Sequence, residues 1–76
     1  MLSYPPDIER RMQWFFASLT PRDRRRYAAI EAIKMGHGGM LYIAELLDCD
    51  PKTIRRGLEE IEELMTPKLP YDNLRP

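Results

Sequence analysis

Apolar residues recur at helical spacing along most of this chain, and nowhere do they alternate as in a strand. Ile8, Met12, Phe15, Phe16 and Leu19 fall at i, i+4, i+7, i+8 and i+11, which predicts one apolar face of a helix over residues 7–19. Asp7 suits its first turn, where a negative charge meets unpaired backbone N–H groups. Trp14 falls on the opposite side, among Arg10, Arg11 and Ser18. A second helix is expected over residues 21–35. Thr20 is its N-cap, Pro21 takes the first helical position, Asp23 completes a capping-box-like pattern, and Gly36 ends it. Its apolar residues form two sides, Tyr27/Ile30/Ile33 and Ala28/Ala32/Met35. A helix apolar on two sides is expected to pack between neighbours, here the first helix and those that follow.

Gly36-His37-Gly38-Gly39 reads as a flexible connector. Residues 40–47 predict a short third helix, Asp48-Cys49-Asp50 a turn, and residues 51–65 a fourth helix. Asp50 and Pro51 supply the fourth helix with an N-cap and a first residue. Its core face is Ile54, Leu58, Ile61 and Met65, and Thr66-Pro67 stops it. Residues 1–6 read as an irregular lead-in, because successive prolines do not sit inside a helix. The segment Lys68–Pro76 reads as an extended tail carrying Leu69, Tyr71 and Leu74 between prolines.

The third and fourth helices have the composition of a helix-turn-helix, which needs two helices crossing steeply over a very short turn. Ala44 is the small residue that close crossing requires. Ile43 and Leu47 pin the first of the two helices to the core, and Ile54 and Leu58 pin the second. Cys49 suits an inward-facing small hydrophobe in the turn. Asp48 stands where glycine is commonest, and Asp tolerates the left-handed conformation better than most residues. The fourth helix then presents Lys52, Thr53, Arg55 and Arg56 from its N-terminal half. That is the half of a recognition helix that enters the major groove of DNA. Arg and Lys bond guanine edges or phosphates, Thr bonds either, and the helix N-terminus adds N–H donors. Glu59, Glu60, Glu62 and Glu63 would repel phosphates and confine contact to the first two turns. A solvated helix laced by Arg55–Glu59 and Arg56–Glu60 pairs, each worth about 0.2–0.5 kcal/mol, fits the same pattern. Gly57 costs about 1 kcal/mol relative to alanine inside a helix, and close approach of a second helix is the expected reason.

Composition narrows the choices. At 76 residues the chain has room for one domain, near the size where a single core is marginally sufficient. Hydrophobic residues at 43% and charged residues at 32% favour a folded chain over a disordered one. No apolar run approaches the ~20 residues of a membrane span, and no signal peptide is visible. The single cysteine excludes an internal disulfide and fits a reducing, cytoplasmic setting. A net charge of zero argues by itself against nucleic-acid binding. The charges are segregated, however: Arg22, Arg24, Arg25 and Arg26 form one basic cluster, and Lys52, Arg55 and Arg56 another. Of the first cluster, Arg22, Arg25 and Arg26 are candidates to grip phosphates beside the groove. Arginine at a helix N-terminus is mildly unfavourable, which weighs against a merely solvated face.

Catalysis finds no footing. His37 and Cys49 do not make a zinc site, and Cys49 has no candidate base beyond His37. With no nucleophile–base pair, metal set or phosphate loop, the expectation is a non-enzyme without cofactor, metal or small-molecule substrate. Trp14 is either an interface anchor or packs under the tail with Leu69 or Tyr71. A homodimer through the first helix, using Trp14 with Phe15 or Phe16, is the expected oligomer. A protein-interaction module built on that surface, and a freestanding transcriptional regulator, remain the alternatives to a DNA-binding domain.

Four stretches together carry a family resemblance: Asp23 to Ala32, Gly36-His37-Gly38-Gly39, Ile43 to Leu47, and Lys52 to Glu60. They resemble the N-terminal region of ISAzo-type bacterial insertion-sequence transposases over about Leu19 to Leu64. The most specific part is the glycine-rich connector combined with Thr53-Ile54-Arg55-Arg56-Gly57-Leu58. The resemblance implies a homeodomain-like domain that binds double-stranded DNA at transposon terminal repeats, with Lys52, Thr53, Arg55 and Arg56 in contact. In that family it precedes a catalytic domain of the DDE class, which uses acidic residues and divalent metal and for which this chain has no room. The expected fold is therefore all-α, a homeodomain-like three-helix helix-turn-helix with an additional N-terminal helix and an extended C-terminal tail. The expected organisation is a lead-in and helix over 1–20, the helix-turn-helix domain over 21–66, and a tail or linker over 67–76.

Overall fold

A computed structural model of the chain describes residues 3–65. Four helices make up the described part: α1 (Pro6–Ser18), α2 (Pro21–Met35), α3 (Gly39–Leu47) and α4 (Pro51–Met65). The fold is all-α, with no strand among the described residues. The Met65 side chain and residues 66–76 lie outside the description, and with them the readings of Thr66-Pro67 as a stop and of an extended tail.

Local chemistry sets the helix bounds. The Thr20 hydroxyl accepts the Asp23 N–H at 3.2 Å, and Pro21 opens α2 with its missing donor where no donor is needed. Pro6 does the same for α1, one residue earlier than the periodicity suggests. The end of α1 is closed from outside. The Arg24 Nε and Nη2 donate to the Phe16 and Ala17 carbonyl oxygens at 3.0 and 2.7 Å, and its guanidinium lies 5.5 Å from the Phe16 ring centroid. A charged donor thus joins the Leu19 N–H at the Phe16 carbonyl and satisfies that of Ala17.

The glycine connector is a fixed turn, not the loose link expected from its composition. Gly36 and Gly38 hold φ values of 77° and 83°, in the range where a side chain is strained. Gly39 is buried as the first residue of α3. A Cβ there would collide with the Ala32 carbonyl oxygen and lie 2.6 Å from the Met35 Cβ.

Helix α2 is the centre of the fold and packs mainly against α3 and α4. Among the described residues the core is Met12, Ala28, Ala29, Ala32, Ile43, Ala44, Leu47 and Ile54, of which only Ile43 and Ile54 are large and fully buried. Four alanines in so small a core bring the helices close together. That closeness decides which side of α2 is covered. The Ala28/Ala32 side is packed. On the other side Tyr27 is half-buried, its ring edge-on to Phe15 at 5.1 Å, while Ile30 and Ile33 remain 47% and 58% exposed. Helix α2 therefore lies between α1 and the later helices as expected, but on the α1 side the contact runs through Tyr27 and leaves Ile30 and Ile33 out. Helix α1 divides similarly: Met12 is buried and Phe16 packs against the core, whereas Ile8 and Phe15 are exposed.

The lead-in is tied down rather than free. The Tyr4 N–H donates to the Tyr42 hydroxyl at 2.9 Å, and the Tyr42 hydroxyl donates to the Glu9 carboxylate. The Tyr4 hydroxyl donates to Glu31 Oε1 at 3.2 Å, and the Lys34 ammonium stands 3.4 Å from Glu31 Oε2. Glu31, the buried charged residue of the described core, thus keeps partners for both oxygens. Burial, then the Glu31 charge, pushes the Tyr27 phenol up to about 12, and burial likewise raises Tyr4 and Tyr42.

Candidate nucleic-acid interface

Helices α3 and α4 are joined by three residues. Asp48 adopts the left-handed conformation (φ 57°, ψ 51°), the one non-glycine residue to do so among those described. The Cys49 N–H donates back to the Ala44 carbonyl at 2.9 Å and closes α3. Asp50 then opens α4: its Oδ1 accepts the Lys52 N–H at 2.8 Å, and its carbonyl accepts the Thr53 N–H at 2.8 Å. Both ends of the turn are therefore fixed by hydrogen bonds.

The inner side of α4 is anchored by Ile54, fully buried, and by Gly57. A Cβ on Gly57 would collide with the Arg25 carbonyl oxygen and lie 3.1 Å from the Ala29 Cβ, so α4 rides directly on the backbone of α2. With that register fixed, Lys52, Arg55 and Arg56 are exposed, followed by Glu59, Glu62 and Glu63. Thr53 is half-buried and lines a shallow crevice with Pro21, Arg24, Arg25 and Cys49. It faces the start of α2 rather than sharing the outward row.

The cations separate into engaged and free. Arg25 Nη2 meets Glu60 Oε2 at 2.7 Å, Arg26 Nε meets Glu60 Oε1 at 3.2 Å, and Arg56 Nε lies 3.6 Å from Glu60 Oε2. Glu60 is thus the anion that ties α2 to α4, and Arg25 and Arg26 are half-buried around it. Arg22 is exposed and 3.6 Å from Asp23. Among the described residues, neither Lys52 nor Arg55 enters an ion pair.

The hydrogen bonds from Arg25, and then those from Arg26, hold the Glu60 carboxyl below its usual value of 4.5. A carboxyl depressed in the folded state stabilises the fold above its unfolded pKa and loses that contribution as pH falls through the folded value. The helical signal is therefore expected to weaken as pH drops below about 4.5. In Glu60→Gln this part of the acid loss should vanish and stability near neutrality should be lower. Acid titration followed by circular dichroism checks both; an acid limb unchanged in the variant would remove Glu60 from the account.

Comparison with known proteins finds no match, whether by family model, by sequence or by structure. Trp14 is 71% exposed, Phe15 is half-exposed against Tyr27, and Phe16 lies inward beneath Arg24. Phe16 is therefore part of the packed interior and unsuited to an interface. His37 is exposed. Cys49 is half-buried, with its thiol pushed up by burial and then by Asp48 and Asp50, the reverse of an activated nucleophile. No group of three potential metal ligands occurs among the described residues, and no described helix is long and apolar enough to cross a membrane.

Two residues gained roles that sequence patterning does not suggest. Arg24 closes α1, and Glu60 gathers three arginines. Only the Arg56–Glu60 spacing had a local signal; the other two Glu60 partners lie 34 and 35 residues away along the chain.

Proposed function

We propose that this chain binds double-stranded DNA, with α3, the Asp48–Asp50 turn and α4 acting as a homeodomain-like helix-turn-helix and α4 as its reading helix. The carrying observation is the outward placement of Lys52 and Arg55 in the first turns of a helix whose other side is fixed by Ile54 and Gly57, with no ion-pair partner for either cation among the described residues. A rigidly held helix with unspent positive charge at its N-terminal half suits phosphates and guanine edges. Arg56 is held loosely by Glu60 and is able to swing outward. Arg22 is the α2 cation that reaches a flanking phosphate, while Arg25 and Arg26 serve the scaffold through Glu60. Thr53 contributes from the crevice, through its backbone N–H or hydroxyl. The resemblance to ISAzo-type transposases makes terminal repeats of a mobile element the natural target, and the domain acts in the cytoplasm without chemistry of its own.

Fluorescence anisotropy of a labelled duplex pool at two salt concentrations tests this reading. Affinity is expected to fall steeply with salt, since each neutralised phosphate releases counterions. Arg55→Ala should weaken binding to a selected site by about 1–3 kcal/mol if the contact is bidentate to guanine. Lys52→Ala should weaken binding to all sequences alike and reduce the salt slope by about one. Absence of binding at low salt would overturn the proposal. It would leave the protein-interaction reading, which rests on a different surface, the exposed aromatic and aliphatic residues of α1 and α2.

A further inference from the structure

The side of α2 that the described residues leave uncovered is continuous with a side of α1 that they also leave uncovered. Tyr27, Ile30 and Ile33 follow one another at i, i+3 and i+6 along α2, and Phe15 of α1 meets the Tyr27 ring at 5.1 Å. Ile8 lies seven residues before Phe15, on the same side of α1. Their exposures are 39% for Ile8, 52% for Phe15, 47% for Ile30 and 58% for Ile33, with Trp14 at 71% on the adjoining side of α1. Together they expose on the order of 500 Å² of apolar side chain, at the upper end for the largest patch on a typical monomer.

We propose that a second copy of this chain covers this face, forming a two-fold symmetric dimer through α1 and α2. Three observations favour a second copy over another occupant. First, the rim is electrically balanced. Asp7 pairs with Arg11 at 3.4 Å, Glu31 with Lys34 at 3.4 Å, and Glu60 with Arg26 at 3.2 Å. By helical register Asp7 and Arg11 flank Ile8, and Arg26 and Lys34 flank Ile30 and Ile33; Glu31, buried in the protomer, and Glu60, on α4, neutralise the last two cations from within. A two-fold interface sets a surface against itself, so a rim of one sign would repel its copy, whereas alternating signs suit it.

Second, the area suits the task. A standard interface buries about 800 Å² on each partner, with an apolar centre and a polar rim. This face and its rim are of that order. Third, the described core is thin: among the described residues only Ile43 and Ile54 are large and fully buried. Burying five more large side chains against their copies supplies the apolar contact that so short a chain lacks internally. Phe16 takes no part, because it lies within the protomer beneath Arg24. Lys52 and Arg55, in no ion pair among the described residues, are on the outward side of α4, so the inference stands independently of DNA binding.

Sedimentation equilibrium of the full chain, with Trp14 emission recorded on the same samples, tests the proposal. The expected mass is twice the 9.0 kDa of one chain, with Trp14 emission moving to the blue as concentration rises. In the double variant Ile30→Glu/Ile33→Glu the dissociation constant should rise at least about 100-fold while helical content is retained, because both side chains are already exposed. If that variant loses its helices, Ile33→Ser is read in its place, with a rise of about 10-fold expected from loss of one buried aliphatic group. A wild-type mass of 9.0 kDa at high concentration overturns the proposal, and points to the chain's own Leu69, Tyr71 and Leu74 segment as the cover. A doubled mass that neither variant shifts also overturns it, since the copies would then meet elsewhere.

Discussion

Gly57→Ala is expected to destabilise the protein by about 2 kcal/mol or more, although helix propensity alone gives the opposite sign. Replacing a glycine in mid-helix by alanine gains about 1 kcal/mol where nothing opposes the new methyl group. At Gly57 the methyl would collide with the Arg25 carbonyl oxygen and lie 2.6 Å from its carbon. The obstacle is backbone in the middle of α2, not the end of a flexible side chain, so α4 must move away as a whole. Overpacking of this kind costs about 1–3 kcal/mol and at times more. Retreat of α4 also stretches the Arg25–Glu60 contact and loosens Ile54, which places the cost at the upper end. The whole fold holds about 4–11 kcal/mol at 0.05–0.15 kcal/mol per residue. Gly57→Val, with a branched side chain, is expected not to fold. Urea unfolding followed by circular dichroism measures the change. A more stable Gly57→Ala protein would mean that α2 and α4 are not in backbone contact.

The same position marks what patterning conveys and what it does not. That Gly57 answers to a neighbouring helix is legible from its cost and its place beside the core face. Which helix, and how closely, is decided by Ala29 and the Arg25 backbone, far away in sequence. The bounds of α2 and α4 are legible because Thr20-Pro21, Gly36 and Asp50-Pro51 act within a few residues of themselves. The left-handed Asp48 is legible for the same reason. Periodicity, by contrast, scores Ile30 and Ile33 as core material. Their exposure follows from the alanines on the adjoining sides of α2, where close helix packing covers the small residues and leaves the large ones out. In the candidate site, the outward positions of Lys52 and Arg55 follow directly from the register of Ile54. The retreat of Arg25 and Arg26 to Glu60 does not, since an ion pair between two helices has no fixed spacing to read.

Ile54→Ala is expected to cost about 3–4 kcal/mol, within the 2–5 kcal/mol observed when a buried isoleucine is cut to alanine. Ile54 is fully buried, and the residues around it include Ala28, Ala29 and Ala32, which have no side-chain length with which to fill the space. A core of longer, flexible residues would collapse into the cavity and recover part of the loss. The alanine side of the cavity keeps its void, and each atom that lines it there forfeits its contacts. The loss is a large share of the stability estimated above, so the variant should show a lower urea midpoint and an unchanged slope if unfolding stays two-state. Leu41→Ala is the matching control. Leu41 has comparable apolar bulk but is 67% exposed, and its truncation should change stability by no more than about 0.5 kcal/mol. The pair also separates stability from recognition. Under conditions where Ile54→Ala still folds, for example with a stabilising osmolyte, the DNA affinity proposed above for this chain should return towards that of the parent, because Ile54 is buried beneath α4 and sets its register from the inner side. An affinity that stays low in fully folded Ile54→Ala would show that small changes in the seating of α4 displace Lys52 and Arg55, and would make the rigidity of that seating part of recognition.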